Sequence, residues 1–202
     1  MADAPSVCPD MTDSTRLRPR PETILLGRLR LRRQQPGDVD PLYPIYCDPA
    51  THLHHPARRL SSIDASGHTM ARWQRHWQDH GSGQWVVCLV DAGDRVIGFG
   101  RVTYRCCGGV DKHDPGCRLT PTASGHGYAT EFASCVLGCA FLHSGAAEVL
   151  ALIRLANRGS IRVAGKVGMQ RAPELDDQVG DAVRLVFRKT ARAVVVHDGR
   201  LP

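Results

Sequence analysis

Apolar residues recur at Ala129, Phe132, Ala133, Val136, Leu137, Ala140 and Phe141, the spacing of a helix with one continuous apolar stripe. A stripe of that length has to be covered, and its neighbours say by what. Gly116 to Thr120 reads as a short strand ended by Pro121, and Val149 to Ile153 as a buried strand. Between the first strand and the helix runs TPTASGHGYATE, in which Gly125 and Gly127 permit a tight turn with its amides pointing one way. From Gly127 to Thr130 the orphan N–H groups of a helix start would be exposed. Those amides and the helix dipole suit a pyrophosphate, although an ordinary tight turn before a helix gives the same pattern. No G-x-G-x-x-G or GK[ST] is present, which disfavours dinucleotide folds and P-loop NTPases.

The rest of the chain supplies more strands and helices. Leu29 and Leu31 alternate with Arg30 and Arg32, so Ile24 to Arg33 reads as one strand with a wet face. Asp40 and Pro41 read as N-cap and first residue of a short helix carrying Leu42, Ile45 and Tyr46. A second helix begins near Ser66 and carries Met70, Trp73 and Trp77. Strands at Gln84–Val90 and Val96–Tyr104 flank the hairpin chemistry of Asp91 to Asp94, and a loop through Gly108, Gly109 and Pro115 follows. Arg158 to Val167 reads as a helix closed by Gly168, then Val183, Leu185 and Phe187 as a last clear strand, with Val194 to Val196 a further candidate. The expected organisation is a disordered tail over 1–21, one domain over 22–196 and a short tail over 197–202.

Composition removes several function classes. The chain has 202 residues, 42% hydrophobic and 23% charged, without an apolar run long enough for a membrane helix or an N-terminal h-region. A cytoplasmic protein without a membrane partner is the expectation. The net charge of +6 is nearly all arginine, since Lys112, Lys166 and Lys189 are the only lysines. The arginines are scattered, densest at Arg28, Arg30, Arg32 and Arg33, which reads as a solvated surface rather than a nucleic-acid face. Some of them would equally serve a phosphorylated cofactor. No C-x-x-C pair occurs among the eight cysteines, so zinc is not expected, and free thiols are. Cys135 and Cys139, one helical turn apart, are expected to be partly buried.

GHGYATE, followed by NRGSIRVAGKVGM, resembles the RimJ/RimL-like branch of the GNAT superfamily of N-acetyltransferases. LGRLRLRRQQPGDVDPLYPIYCDP, RWQRHWQDHGSGQWVV and RVIGFGRV resemble the branch's first strand and helix, its second helix, and the hairpin after it. The five stretches stand in the family's order over roughly residues 24 to 170.

The resemblance implies an α/β fold of the α+β type: a mixed, mostly antiparallel, twisted sheet flanked by helices. A splayed parallel pair, 116–120 and 149–153, would form the acetyl-CoA cleft. It implies that Gly125, His126, Gly127, Tyr128, Ala129 and Thr130 bind the cofactor's pyrophosphate. Leu119 and Thr120 would pair with the pantetheine arm, and Asn157 and Ser160 would contact the cofactor. The chain departs from the family at Ser124, where Arg, Gln or an aromatic is common. It departs again at Cys117 and Ala164, each in the place of a common tyrosine, and at Gly165 inside a helix.

The implied reaction is direct attack of a primary amine on acetyl-CoA in a ternary complex. The backbone N–H of Leu119 would polarise the carbonyl, and Ser160 would protonate the leaving thiolate. A helix cap is the structural alternative for Ser160. The base stays open among Glu131, His113, His126, Asp111, Asp114 and a water chain. His52, His54 and His55 are too incomplete for a metal, so none is expected; they and Trp73 and Trp77 would line the acceptor side or, for the tryptophans, the core. A protein α-amine, an aminoglycoside or a polyamine would each fit as acceptor, and the chain would be a monomer or homodimer. A catalytically weak acetyl-CoA sensor is the second reading.

Overall fold

The computed structural model describes residues 22–80, 83–107, 110–144, 147–179 and 182–191, without the side chains of 80, 102–107, 110–114, 143–144, 179 and 182. The two expected tails and the candidate strand at Val194–Val196 lie outside the described residues.

The first sheet has the order β1-β2-β3-β4-β5, antiparallel throughout. Its strands are β1 (Thr23–Leu26), β2 (Leu29–Arg32), β3 (Gln84–Leu89), β4 (Arg95–Cys107) and β5 (Val110–Leu119). The second sheet contains β6 (Glu148–Arg154), β7 (Gln170–Arg171), β8 (Asp177–Val179) and β9 (Ala182–Thr190), with β6, β7 and β8 all paired antiparallel to β9. The two sheets meet where β5 and β6 lie side by side, and among the described residues no ladder joins those strands.

Four helices cover the sheets: α1 (Val39–Cys47), α2 (Ile63–His80), α3 (Tyr128–Ser144) and α4 (Arg158–Lys166). Strand β3 is apolar on both faces because both are covered. Val86 and Cys88 pack with Leu42, Ile45 and Met70 of α1 and α2, while Trp85 and Val87 pack with Phe132 and Val136 of α3. The stripe on α3 then runs past the first sheet: Leu137 and Ala140 join Val149, Ala151 and Phe187 of the second sheet and Ala164 of α4. One helix therefore bridges the seam between the sheets and holds the glycine turn at its start in place.

Four expectations are corrected. The strand foreseen from Ile24 to Arg33 is the β1–β2 hairpin, turning at Gly27 and Arg28. The loop foreseen through Gly108 to Pro115 is mostly strand, because β5 begins at Val110 and pairs with β4 along its length. Helix α2 starts at Ile63, three residues ahead of Ser66. Helix α1 starts at Val39 with Asp38, not Asp40, at its N-cap. Asp38 does not cap with its side chain; both its oxygens accept from Arg32 at 2.7 Å, and Oδ2 also takes the N–H of Gln35.

Candidate active site

Both glycines of the turn before α3 have φ +84°, the left-handed region that only glycine adopts without strain. The consequence is the exposed run of amides the sequence pointed to. Thr130 and Glu131 donate their N–H groups back to the Gly127 carbonyl, at 3.0 and 3.1 Å. The N–H groups of residues 125–129 have no backbone acceptor among the described residues. Thr130 thus keeps only its hydroxyl for a ligand. His126 is exposed, its Nδ1 2.9 Å from the Ser124 carbonyl and its ring stacked on Tyr128.

Arg28 frames the same turn. Its guanidinium lies 4.5 Å from the centre of the Tyr128 ring, and Nη2 stands beside Gly127. Glu131 holds it there: Oε1 accepts the Arg28 backbone N–H at 2.9 Å, and Oε2 accepts from Nε and Nη2 at 3.1 and 3.0 Å. Glu131 is thus committed to joining α3 to the β1–β2 turn, and it does not line the cleft. The remaining members of the arginine-rich stretch are also paired, Arg30 with Asp94, Arg32 with Asp38 and Arg33 with Glu22.

A cleft of about 700 Å³ takes Ala129 of the α3 start into its lining and runs past Gly116, Cys117 and Arg118 of β5, Ala151 to Arg154 of β6, and Ala164 of α4. Of the residues expected at the cofactor, Ala129, Asn157 and Ser160 line it, and Leu119, Thr120, Gly125, His126, Gly127, Tyr128 and Thr130 do not. Thr120 donates its N–H to the Ile97 carbonyl at 2.8 Å, toward β4. Backbone direction alternates along a strand, so Leu119 turns its N–H the other way, to the seam. The Thr120 amide is occupied; its hydroxyl meets that of Thr122 at 3.1 Å.

Asn157 and Ser160 line the cleft together at the start of α4. Asn157 is the N-cap, its Oδ1 accepting the Ser160 N–H at 3.1 Å. The cap role weighed for Ser160 is therefore filled by its neighbour. Gly168, at φ +74°, closes α4: Met169 donates to the Ala164 carbonyl and Gly168 to that of Gly165, the Schellman arrangement.

The far wall comes from α1, α2 and the segment joining them. Trp73 lines the cleft, whereas Trp77 is core, its indole donating to the Gln84 carbonyl at 2.6 Å and meeting Trp85 edge-on. His52 is buried against Tyr46, and burial lowers its pKa; His54 and His55 line the cleft. Burial, and then Arg154, Arg58 and Arg118, bring His55 down to about 4 from the ordinary 6.5. Burial takes the Tyr46 hydroxyl up to about 12, against the pull of Arg118 and Arg101. Among the described residues no cluster of His, Cys, Asp and Glu is arranged to hold a metal ion. The candidate bases Asp111, His113 and Asp114 have side chains outside the described residues.

Sequence reasoning named Arg28 only within its group, as arginines that would serve a phosphorylated cofactor, and missed Arg118 and Arg154, for which no local signal exists.

A model of the acetyltransferase (GNAT) domain matches residues 28–170 of the chain. No curated protein matches it. Among solved structures, an acetyltransferase from Agrobacterium tumefaciens strain C58 superposes with a TM-score of 0.67 at 20% identity, over 84% of this chain and 94% of that one. RimJ of Mycobacterium smegmatis, in complex with a coenzyme A disulfide, gives 0.63 at 18% identity over 81% of this chain and 82% of its own. RimL, a ribosomal L7/L12 α-N-protein acetyltransferase bound to coenzyme A, gives 0.67 at 13% identity over 84% and 98%. At these identities the likeness is one of fold.

Proposed function

The chain belongs to the GNAT acetyltransferase family, and from that premise we propose that it transfers an acetyl group from acetyl-CoA to a primary amine, in the cytoplasm and without a metal. The observation that carries the reading is the row of five amides at residues 125–129 with no backbone acceptor among the described residues, at the start of a helix whose Ala129, Phe132 and Ala133 line a cleft where β5 and β6 lie side by side without a ladder among those residues. Amides aimed at one point from a helix start bind a pyrophosphate well. Gly125, His126, Gly127, Tyr128 and Ala129 offer those donors, with Arg28 beside them, and Thr130 offers its hydroxyl.

Acetyl-CoA supplies an activated thioester; the chain's own residues position and polarise it. Leu119 turns a backbone N–H into the seam, where it donates to the thioester carbonyl and stabilises the charge that grows there. Thr120 and Asn157 flank the pantetheine path. Ser160 gives the departing thiolate its proton, and is free to do so because Asn157 caps the helix; the proton released from the acylated nitrogen restores the Ser160 hydroxyl through solvent. The acceptor enters past Trp73, His54 and His55 and attacks directly, so proximity provides most of the acceleration. The acceptors named for the similar RimL are protein α-amines; a protein N-terminus or a small-molecule amine suits this cleft.

Calorimetric titration with acetyl-CoA tests the phosphate turn. At a hundredfold excess over the dissociation constant, binding should stabilise the fold by about 2.7 kcal/mol. Gly127→Glu should abolish that gain, since it strains a residue at φ +84° and puts a carboxylate on the anion site. Equal stabilisation of both proteins would contradict the turn's role.

A further inference from the structure

The wall of the cleft is crowded with positive charge. Arg58, Arg72, Arg101, Arg118, Arg154 and Arg184 all line it, drawn from five separate elements and one 3₁₀ turn. Among the described residues the lining contains one carboxylate, Asp177, and Arg184 takes both its oxygens. The arginines share one space. Arg154, Arg58 and Arg118 all act on the His55 ring, and Arg118 feels both Arg58 and Arg101. Arg118 also stacks on Tyr46, with its carbon 4.8 Å from the ring centre.

Two of these groups are incompletely satisfied. Nη1 of Arg118 and Nε of Arg154 are buried and have no hydrogen-bond partner among the described residues. A buried guanidinium donor without an acceptor is costly, and gathering several like charges adds to the cost. Both costs vanish when an anion enters. The guanidinium fork matches a carboxylate or phosphate with two parallel hydrogen bonds, which a neutral ligand cannot offer.

We propose that the acceptor is an amine carrying its own anion, a carboxylate or phosphate close to the nitrogen, and that Arg118 and Arg154 hold that anion while the amine faces the thioester. This rests on the acetyltransferase reading above, whose phosphate turn involves neither arginine. The same wall repels polycations, which excludes polyamines and aminoglycosides as good acceptors.

The test uses acceptors paired with and without an anion: O-phosphoethanolamine against ethanolamine, and, nearly isosteric, the amidated peptide Asp-Ala-Ala against Asn-Ala-Ala. The first pair probes a small molecule, the second an acidic N-terminus. In at least one pair the anionic member should have the higher kcat/KM by about tenfold, the worth of one hydrogen bond to a charged group. Arg118→Gln and Arg154→Gln should each erase most of that preference, Arg118→Lys should keep part of it, and acetyl-CoA affinity should not change. Arg154→Gln, away from the Tyr46 stack, keeps the test valid if Arg118→Gln folds poorly. Preference for the neutral member in both pairs, for spermidine, or for the anion undiminished in both variants would overturn the proposal. If no acceptor is acetylated, titration of O-phosphoethanolamine and of Asp-Ala-Ala into the coenzyme A complex decides. Binding weakened by Arg154→Gln upholds the anion site and removes only the transferase reading; no heat from either ligand removes the anion site.

Discussion

Asn157 and Ser160 stand at the start of α4, and only one of them is committed to the backbone. That division of labour sets opposite expectations for the two alanine variants. Asn157→Ala loses the cap and should cost about 1 kcal/mol of stability, read as a lower urea midpoint. Ser160→Ala loses no cap, so its midpoint should hold while the single-turnover rate falls about 100-fold, the usual size of a general-acid effect. Acetyl-CoA affinity should survive in Ser160→Ala, because the proton is needed only in the transition state. A normal rate in Ser160→Ala would leave the thiolate to take its proton from the amine or from water. The sequence offered both roles for Ser160, since a hydroxyl in a first turn serves either. The atom that the Asn157 oxygen accepts from is a matter of geometry, which motif spacing does not carry. Glu131 shows the same limit. A carboxylate in a first helical turn was a reasonable base, but its partner Arg28 is 103 residues away in the chain.

Where an element packs against another, single glycines decide the fit. A side chain at Gly100 of β4 would run into the ring of Phe132 on α3. Gly100→Ala should therefore cost about 1–3 kcal/mol, the range for overpacking, and move α3 with the turn it carries. Gly165, within α4, is exposed, and a Cβ added there would meet nothing within 4 Å. Gly165→Ala should stabilise by about 0.4–1 kcal/mol, by helix propensity and a less mobile unfolded chain. Thermal or urea melts of the two variants should move in opposite directions; shifts of the same sign would contradict this packing. The long elements were legible because α3 and β3 repeat one pattern throughout. The β1–β2 turn was hidden because alternation of leucine and arginine runs straight on after it. Before and within β5, the sequence Gly108, Gly109 and Pro115 reads as loop, although β5 begins at Val110. Pro115 is tolerated because its position faces away from β4, toward the side without a ladder. Strands β7 and β8 are two and three residues long, too short for a period, and owe their extended form to β9.

At the scale of the whole molecule, charge is sorted in a way composition does not reveal. The net charge of +6 looked like scattered surface. In the folded chain the arginines that cluster in sequence are paired with acids, as are Arg171, Arg184 and Arg188, while six that are far apart in sequence, Arg58, Arg72, Arg101, Arg118, Arg154 and Arg184, line one cleft. The glycine turn proposed for the cofactor was legible as a turn because one contiguous segment builds it, 124–131, with its glycines at positive φ. The arginine-lined part of the cleft was not, because it is assembled from β4, β5, β6, β9, α2 and the turn at Arg58. No described helix is long and apolar enough to cross a membrane.

The most direct measurement is release of free coenzyme A thiol with mass detection of the acetylated amine, from purified protein in EDTA with acetyl-CoA and an acceptor panel. The panel should span anionic, neutral and cationic amines and short peptides. The expected result is equal amounts of thiol and N-acetyl product from at least one acceptor, undiminished by EDTA and lost in Gly127→Glu. Tight acetyl-CoA binding with no acetylated product from any acceptor would contradict it and leave a domain that senses acetyl-CoA. Activity lost in EDTA and restored by a stoichiometric metal would contradict the metal-free mechanism and return attention to His54 and His55.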